Sequence, residues 1–112
     1  MENHTFTPEE IERIQLNLMA LLFYVKTHDK RNLPHCFRIC ERIIRNIDIC
    51  RSECYSDIDE LSRLIKEDWH ASMEVHAGLP AYYIPNEARE VMISMNRAVS
   101  RQIADIAEFI DV

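Results

Sequence analysis

A single glycine, Gly78, serves a chain of 112 residues, against a usual share of roughly 7%. Hairpins and tight turns draw on glycine because it enters positive φ without steric cost. A chain almost without it makes few such turns, which leaves long helices with few connections as the way to bury its apolar side chains. Apolar residues make up 47% of the chain and charged residues 29%, enough for a core and against disorder. At this length there is room for one core, so residues 1–112 are expected to form a single helical domain.

The helix ends are written in the sequence. In FTPEEI, Thr7 is a capping residue, Pro8 suits the first helical position, and Glu10 completes a capping box. Phe6 and Ile11 flank that start at the positions of a hydrophobic staple. Ile11, Ile14, Leu18, Leu21, Leu22 and Val25 then recur at helical spacing. HDKRNLP interrupts the pattern, and a second stripe carries Phe37, Cys40, Ile43, Ile44, Ile47 and Cys50. CYSDIDE holds the next boundary, with Ser56 or Asp57 as the cap. The third stripe is Ile58, Leu61, Ile65, Trp69, Ser72 and His76, closed by Gly78 in a left-handed conformation. Asn86 is the expected cap of a fourth helix, whose stripe is Val91, Met95, Val99, Ile103, Ile106 and Ile110.

These signals predict helices over residues 8–28, 34–52, 57–76 and 86–110. At about 1.5 Å per residue they are roughly 29–38 Å long and match for side-by-side packing. Short connections favour antiparallel neighbours, so the expected fold is all-α, an up-down-up-down four-helix bundle. The polar start MENHTFTPEE has no signal region, and the longest apolar stretch, residues 18–25, is too short to span a bilayer. A cytoplasmic protein with reduced cysteines and no membrane partner is expected.

Three constellations bear on chemistry. Cys36 with Cys40, and Cys50 with Cys54, are C-x-x-x-C pairs on or near one helix stripe. The span from Cys36 to Cys54 is about 27 Å of helix, so the four cannot converge on one ion. Cys36 and Cys40 with His28, His35 and His76 form the candidate metal or thiol site, against a reading in which the thiols are small core residues. Glu67 and His70 form an E-x-x-H, but the helical wheel turns them away from the core and no second copy exists, so a solvated face is expected and no metal or cofactor. Arg63 and His70 stand in an R-x(6)-H spacing on nearly one side of the third helix. That spacing resembles the signature of helical ribonucleases of the HEPN class, although Leu64 stands where a polar residue follows the arginine. The resemblance implies Arg63 on a phosphate and His70 in proton transfer or 2′-hydroxyl positioning. No G-x-S-x-G or glycine-rich phosphate loop accompanies it.

Charge is segregated. The net charge is −6, which opposes general nucleic-acid binding. Residues 26–51 nevertheless hold seven Lys/Arg against three Asp/Glu. Arg38, Arg42 and Arg45 form a basic stripe, the one feature suited to nucleic acid. Glu60, Glu67 and Glu74 recur every seven residues as an acidic line along the third helix. Such faces are commonly only solvated, but an exposed one steers an oppositely charged partner.

HAGLPAYYIP, residues 76–85, places Leu79, Tyr82, Tyr83 and Ile84 in a connection, where such side chains either plug the core end or present a recognition surface. Adjacent tyrosines followed by proline, between the third and fourth helices of a small acidic bundle, resemble the nuclease-binding region of colicin immunity proteins; here Ile84 separates Tyr83 from Pro85. The expectation is a non-enzymatic module, a regulator of immunity, antitoxin or inhibitor type. It binds a protein partner, a basic one fitting the acidic line, through Leu79, Tyr82, Tyr83, Ile84, Glu60, Glu67 and Glu74, and a homodimer is compatible with it. The Arg63–His70 ribonuclease and the Cys36–Cys40 metal or thiol protein are the alternatives.

Overall fold

A computed structural model of the chain describes residues 5–111; the first four residues of the polar start and Val112 lie outside it. The first helix, α1 (Pro8–His28), opens as its sequence dictates. Thr7 Oγ1 accepts from the Glu10 amide at 3.2 Å, and the Thr7 amide donates to Glu10 Oε1 at 2.9 Å. Two amides that lack helical partners are thereby satisfied. Phe6 and Ile11 are both buried beside this cap, as a staple requires.

The second helix, α2 (His35–Ser52), follows Pro34 without a side-chain cap. It closes through Cys54 and Tyr55, both in the left-handed region at φ 56° and 58°, with the Tyr55 amide donating to the Cys50 carbonyl at 2.8 Å. The third helix, α3 (Ile58–Ser72), ends four residues earlier than its stripe suggested. Ser72 Oγ donates to the Trp69 carbonyl at 2.6 Å, and the Met73 amide reaches back only three residues, to His70. A serine hydroxyl that takes a carbonyl in the last turn competes with the helical ladder. Glu74 then turns the chain, its Oε2 accepting from the His76 and Ala77 amides at 3.0 and 2.6 Å. His76 is therefore exposed and outside the helix.

Gly78 corrects the expectation of a left-handed closure: its φ is −92°. It is required by contact instead, because a Cβ there would lie 2.4 Å from the Ser72 carbonyl oxygen and 2.5 Å from the backbone N and O of Glu74. A 3-10 turn (Leu79–Ala81) follows, and the fourth helix, α4 (Arg89–Ile110), begins later than Asn86. Asn86 Oδ1 accepts from the Ala88 amide at 2.8 Å, forming a local turn before the helix instead of capping it. Val91, assigned to the core stripe, is 46% exposed, and Met95 is the first buried residue of that helix.

All elements among the described residues are helical, with no strand. The α2 helix packs most extensively on α3, α1 packs on α4 and on α2, and α3 meets α4 only sparsely. One buried cluster draws on every helix: Ile14, Leu18 and Leu21 from α1, Phe37, Ile43 and Ile47 from α2, Ile65 and Trp69 from α3, Val99, Ile106 and Ile110 from α4. Ile44 and Ile58 pack at its margin, half-buried. Gln15 is the polar exception on α1. Its side-chain amide donates to the Ile44 carbonyl and Asp48 and accepts from Arg51, tying α1 to α2. No helix among the described residues is long and apolar enough to cross a membrane.

Candidate functional site

The connection from α3 to α4 is held by three anchors. Leu79 and Ile84 point inward and are 2% and 1% exposed, so each gains the full benefit of apolar burial, on the order of 1.5–3 kcal/mol. Their backbone polar groups need partners at the same time. Asn96 of α4 supplies them for Ile84, its Oδ1 accepting from the Ile84 amide at 2.7 Å and its Nδ2 donating to the Ile84 carbonyl at 2.9 Å.

Tyr82 is the third anchor. Its half-buried ring meets Phe37 edge-on with centroids 4.7 Å apart, and its hydroxyl donates to Asp29 Oδ2 at 2.7 Å. The same carboxylate receives Nε of Arg31 at 3.0 Å, Nη2 at 2.9 Å and the Arg31 amide at 3.0 Å. With a side chain only 5% exposed, Asp29 is held well below the usual carboxylate range, first by the hydrogen bond from Arg31 and, with burial opposing, also by that from Tyr82. Burial, then the neighbouring carboxylate, pushes the Tyr82 hydroxyl well above its ordinary value, which keeps it a donor. Arg31 completes the clamp by donating from Nη2 to the Tyr83 carbonyl at 2.8 Å, with its guanidinium 5.9 Å from the centre of the Tyr83 ring.

Tyr83 is the outlier, 57% exposed on an otherwise anchored backbone. Beside it lies an open depression of about 290 Å³, lined among others by Arg31, Asn32, Cys36, His76, Tyr82 and Tyr83. Sequence reasoning did not single out Asp29, Arg31 or Asn96. Asp29 and Arg31 sat in a segment noted only as a break, and their partners are 52 and 53 positions away.

The acidic line is divided. Glu60 and Glu67 both pair with Arg63, Glu67 Oε1 lying 2.6 Å from Nη1. Both carboxylates remain more than half exposed, and the Arg63 hydrogen bond lowers the Glu60 pKa. Glu74 is spent on the turn after α3. A phosphate approaching Arg63 would have to displace two carboxylates, and His70 Nε2 lies 2.9 Å from Asp111 Oδ1. Of the basic stripe, Arg42 is bound by both Asp68 oxygens at 2.7 and 3.2 Å, whereas Arg38 and Arg45 are exposed.

Cys36, Cys40 and Cys50 are buried free thiols, whereas Cys54, also assigned to the apolar stripe, is exposed because the chain turns left-handed there. Burial pushes the Cys40 thiol up to about 12, far from the thiolate that a reactive nucleophile requires. The His28 ring lies against Tyr24, with centroids 4.4 Å apart and the planes tilted by 45°. Among the described residues no group of three or more His, Cys, Asp or Glu is placed to hold a metal ion. Compared with known proteins, the chain matches no family model, no curated protein and no solved structure.

Proposed function

We propose that this protein is a non-enzymatic binding module, a regulator of immunity, antitoxin or inhibitor type. In this reading it is a single cytoplasmic domain built as an antiparallel up-down-up-down bundle, and its partner is a basic protein. The supporting observation is the contrast around the tyrosine pair: Tyr83 is 57% exposed, while Tyr82 is half-buried and Leu79 and Ile84 in the same loop are buried. A large aromatic side chain on a backbone already immobilised loses little further entropy on binding, which makes it an effective anchor.

Leu79, Tyr82 and Ile84 act in this proposal by fixing the loop, with Tyr83 making the central contact. The exposed carboxylates of Glu60 and Glu67 attract the partner during encounter, and Glu74 contributes by shaping the turn. The experiment is affinity capture from the native cell with wild-type and Tyr83→Ala baits, followed by titration of the recovered partner. The expected outcome is a loss of about 2 kcal/mol or more, roughly thirtyfold in affinity, for Tyr83→Ala, at an unchanged melting temperature. Equal affinity of the two proteins would defeat the proposal.

A further inference from the structure

The outer face of α1 carries an apolar stripe that the core does not use. Leu16, Met19 and Phe23 are 65%, 49% and 74% exposed, with Ala20 exposed between them. Their separations of three and four residues put them on one side of the helix. Extended in the same three-four rhythm, the stripe begins with Glu9 and Glu12 and ends with Lys26, with Lys30 just past the helix end. This is the spacing of a coiled-coil seam. Its charge order, acid then apolar then base, is complementary to its own reversal.

We propose that α1 of this chain pairs antiparallel with α1 of a second copy across a two-fold axis near Met19. Antiparallel pairing sets Leu16 of each copy against Phe23 of the other and brings Met19 to the axis. It also brings Glu9 and Glu12 opposite Lys26 and Lys30, whereas parallel pairing would oppose acid to acid. Two-fold contacts require this kind of self-complementary surface, and an unrelated partner would have no need of it. An open groove of about 360 Å³ runs beside the stripe between α1 and α2, lined by Met19, Leu22, Phe23 and Ile44. The Lys26–Glu41 ion pair, at 3.2 Å, stands on its rim. The groove receives apolar side chains of the second copy, which Leu22 and Ile44 help enclose. Three large apolar residues per chain make a reversible dimer, at the small end of specific interfaces.

The test is sedimentation equilibrium across a wide concentration range. Wild-type protein is expected to approach twice its 13.3 kDa mass, and Met19→Glu with Phe23→Glu to remain monomeric with unchanged helicity. Glu9→Lys with Glu12→Lys, and separately Lys26→Glu with Lys30→Glu, are each expected to weaken self-association by about tenfold or more. All four changes in one chain are expected to restore the dimer, and the two charge-reversed proteins, when mixed, to form a heterodimer. Tyr83→Ala is expected to leave assembly unchanged, which separates this surface from the loop. A wild-type monomer at every concentration overturns the proposal, as does a dimer indifferent to Phe23→Glu or a four-site charge swap that fails to restore association.

Discussion

Asp29 shows how much one buried carboxylate organises. It accepts hydrogen bonds from the Tyr82 hydroxyl and from both side chain and backbone of Arg31, and through Arg31 it fixes the backbone of Tyr83. Its folded pKa lies below the ordinary value of 3.8. A depressed carboxylate contributes stability that is complete above its unfolded pKa and is lost as the pH falls through the folded one. The clamp is therefore fully formed at neutral pH and weakens only below 3.8. Asp29→Asn keeps the shape but removes the charge and sets an amide against donors. Its expected cost at neutral pH is on the order of 1–3 kcal/mol. Thermal unfolding followed from pH 7 to about pH 3 should show the gap between wild type and variant narrowing below the ordinary carboxylate value. A gap of constant size down to strong acid would mean that the Asp29 charge does not stabilise the loop.

At the scale of elements, the chain discloses what is settled within a few residues and conceals what is settled across many. The start of α1 was legible because Thr7, Pro8 and Glu10 satisfy it among themselves. The core stripe of α1 was legible for the same reason, its period being local. The end of α3 was not, since Ser72 and Glu74 redirect the backbone through side-chain hydrogen bonds that periodicity does not register. The end of α2 at Ser52 was legible, but the means of its closure was not, because Cys54 and Tyr55, not glycine, take the left-handed region. The tyrosine pair drew notice as sequence, but which ring is buried depends on Phe37, Asp29 and Asn96 in other elements. Gly78 makes the distinction testable. Left-handed closures tolerate asparagine better than alanine, whereas a steric requirement rejects any Cβ. Because the nearest obstacles are backbone atoms, Gly78→Ala and Gly78→Asn are both expected to destabilise by about 1–3 kcal/mol or more. Chemical denaturation that finds Gly78→Asn close to wild type would contradict the steric account.

Across the whole molecule, packing is uneven: α2 is closely joined to α3 and α1 to α4, but α3 meets α4 sparsely. The segment before α1 compensates at one end of α3. Thr5 Oγ1 donates to Asp59 at 2.9 Å, and the Phe6 amide donates to Ser62 Oγ at 3.0 Å. The Phe6 ring is 1% exposed, with the Lys66 ammonium 5.2 Å from its centre. At the other end of α3, the exposed His70–Asp111 pair is the corresponding side-chain tie, and exposed pairs contribute little. Phe6 thus ties α3 to the start of α1, beside the extensive packing of α3 on α2. Phe6→Ala removes a buried aromatic ring and leaves a cavity, an expected loss of about 3–5 kcal/mol. Total stabilities run at about 5–15 kcal/mol, so this change alone would bring the fold near its limit. Ser62→Ala keeps the ring but leaves the buried Phe6 amide without its acceptor, at about 1–3 kcal/mol. Urea titrations of both variants should lower the midpoint with an unchanged slope if the helices unfold as one unit. A shallower slope for Phe6→Ala would show α3 detaching before the rest, and a loss well under that of Ser62→Ala would show that the ring does not hold α3 in place.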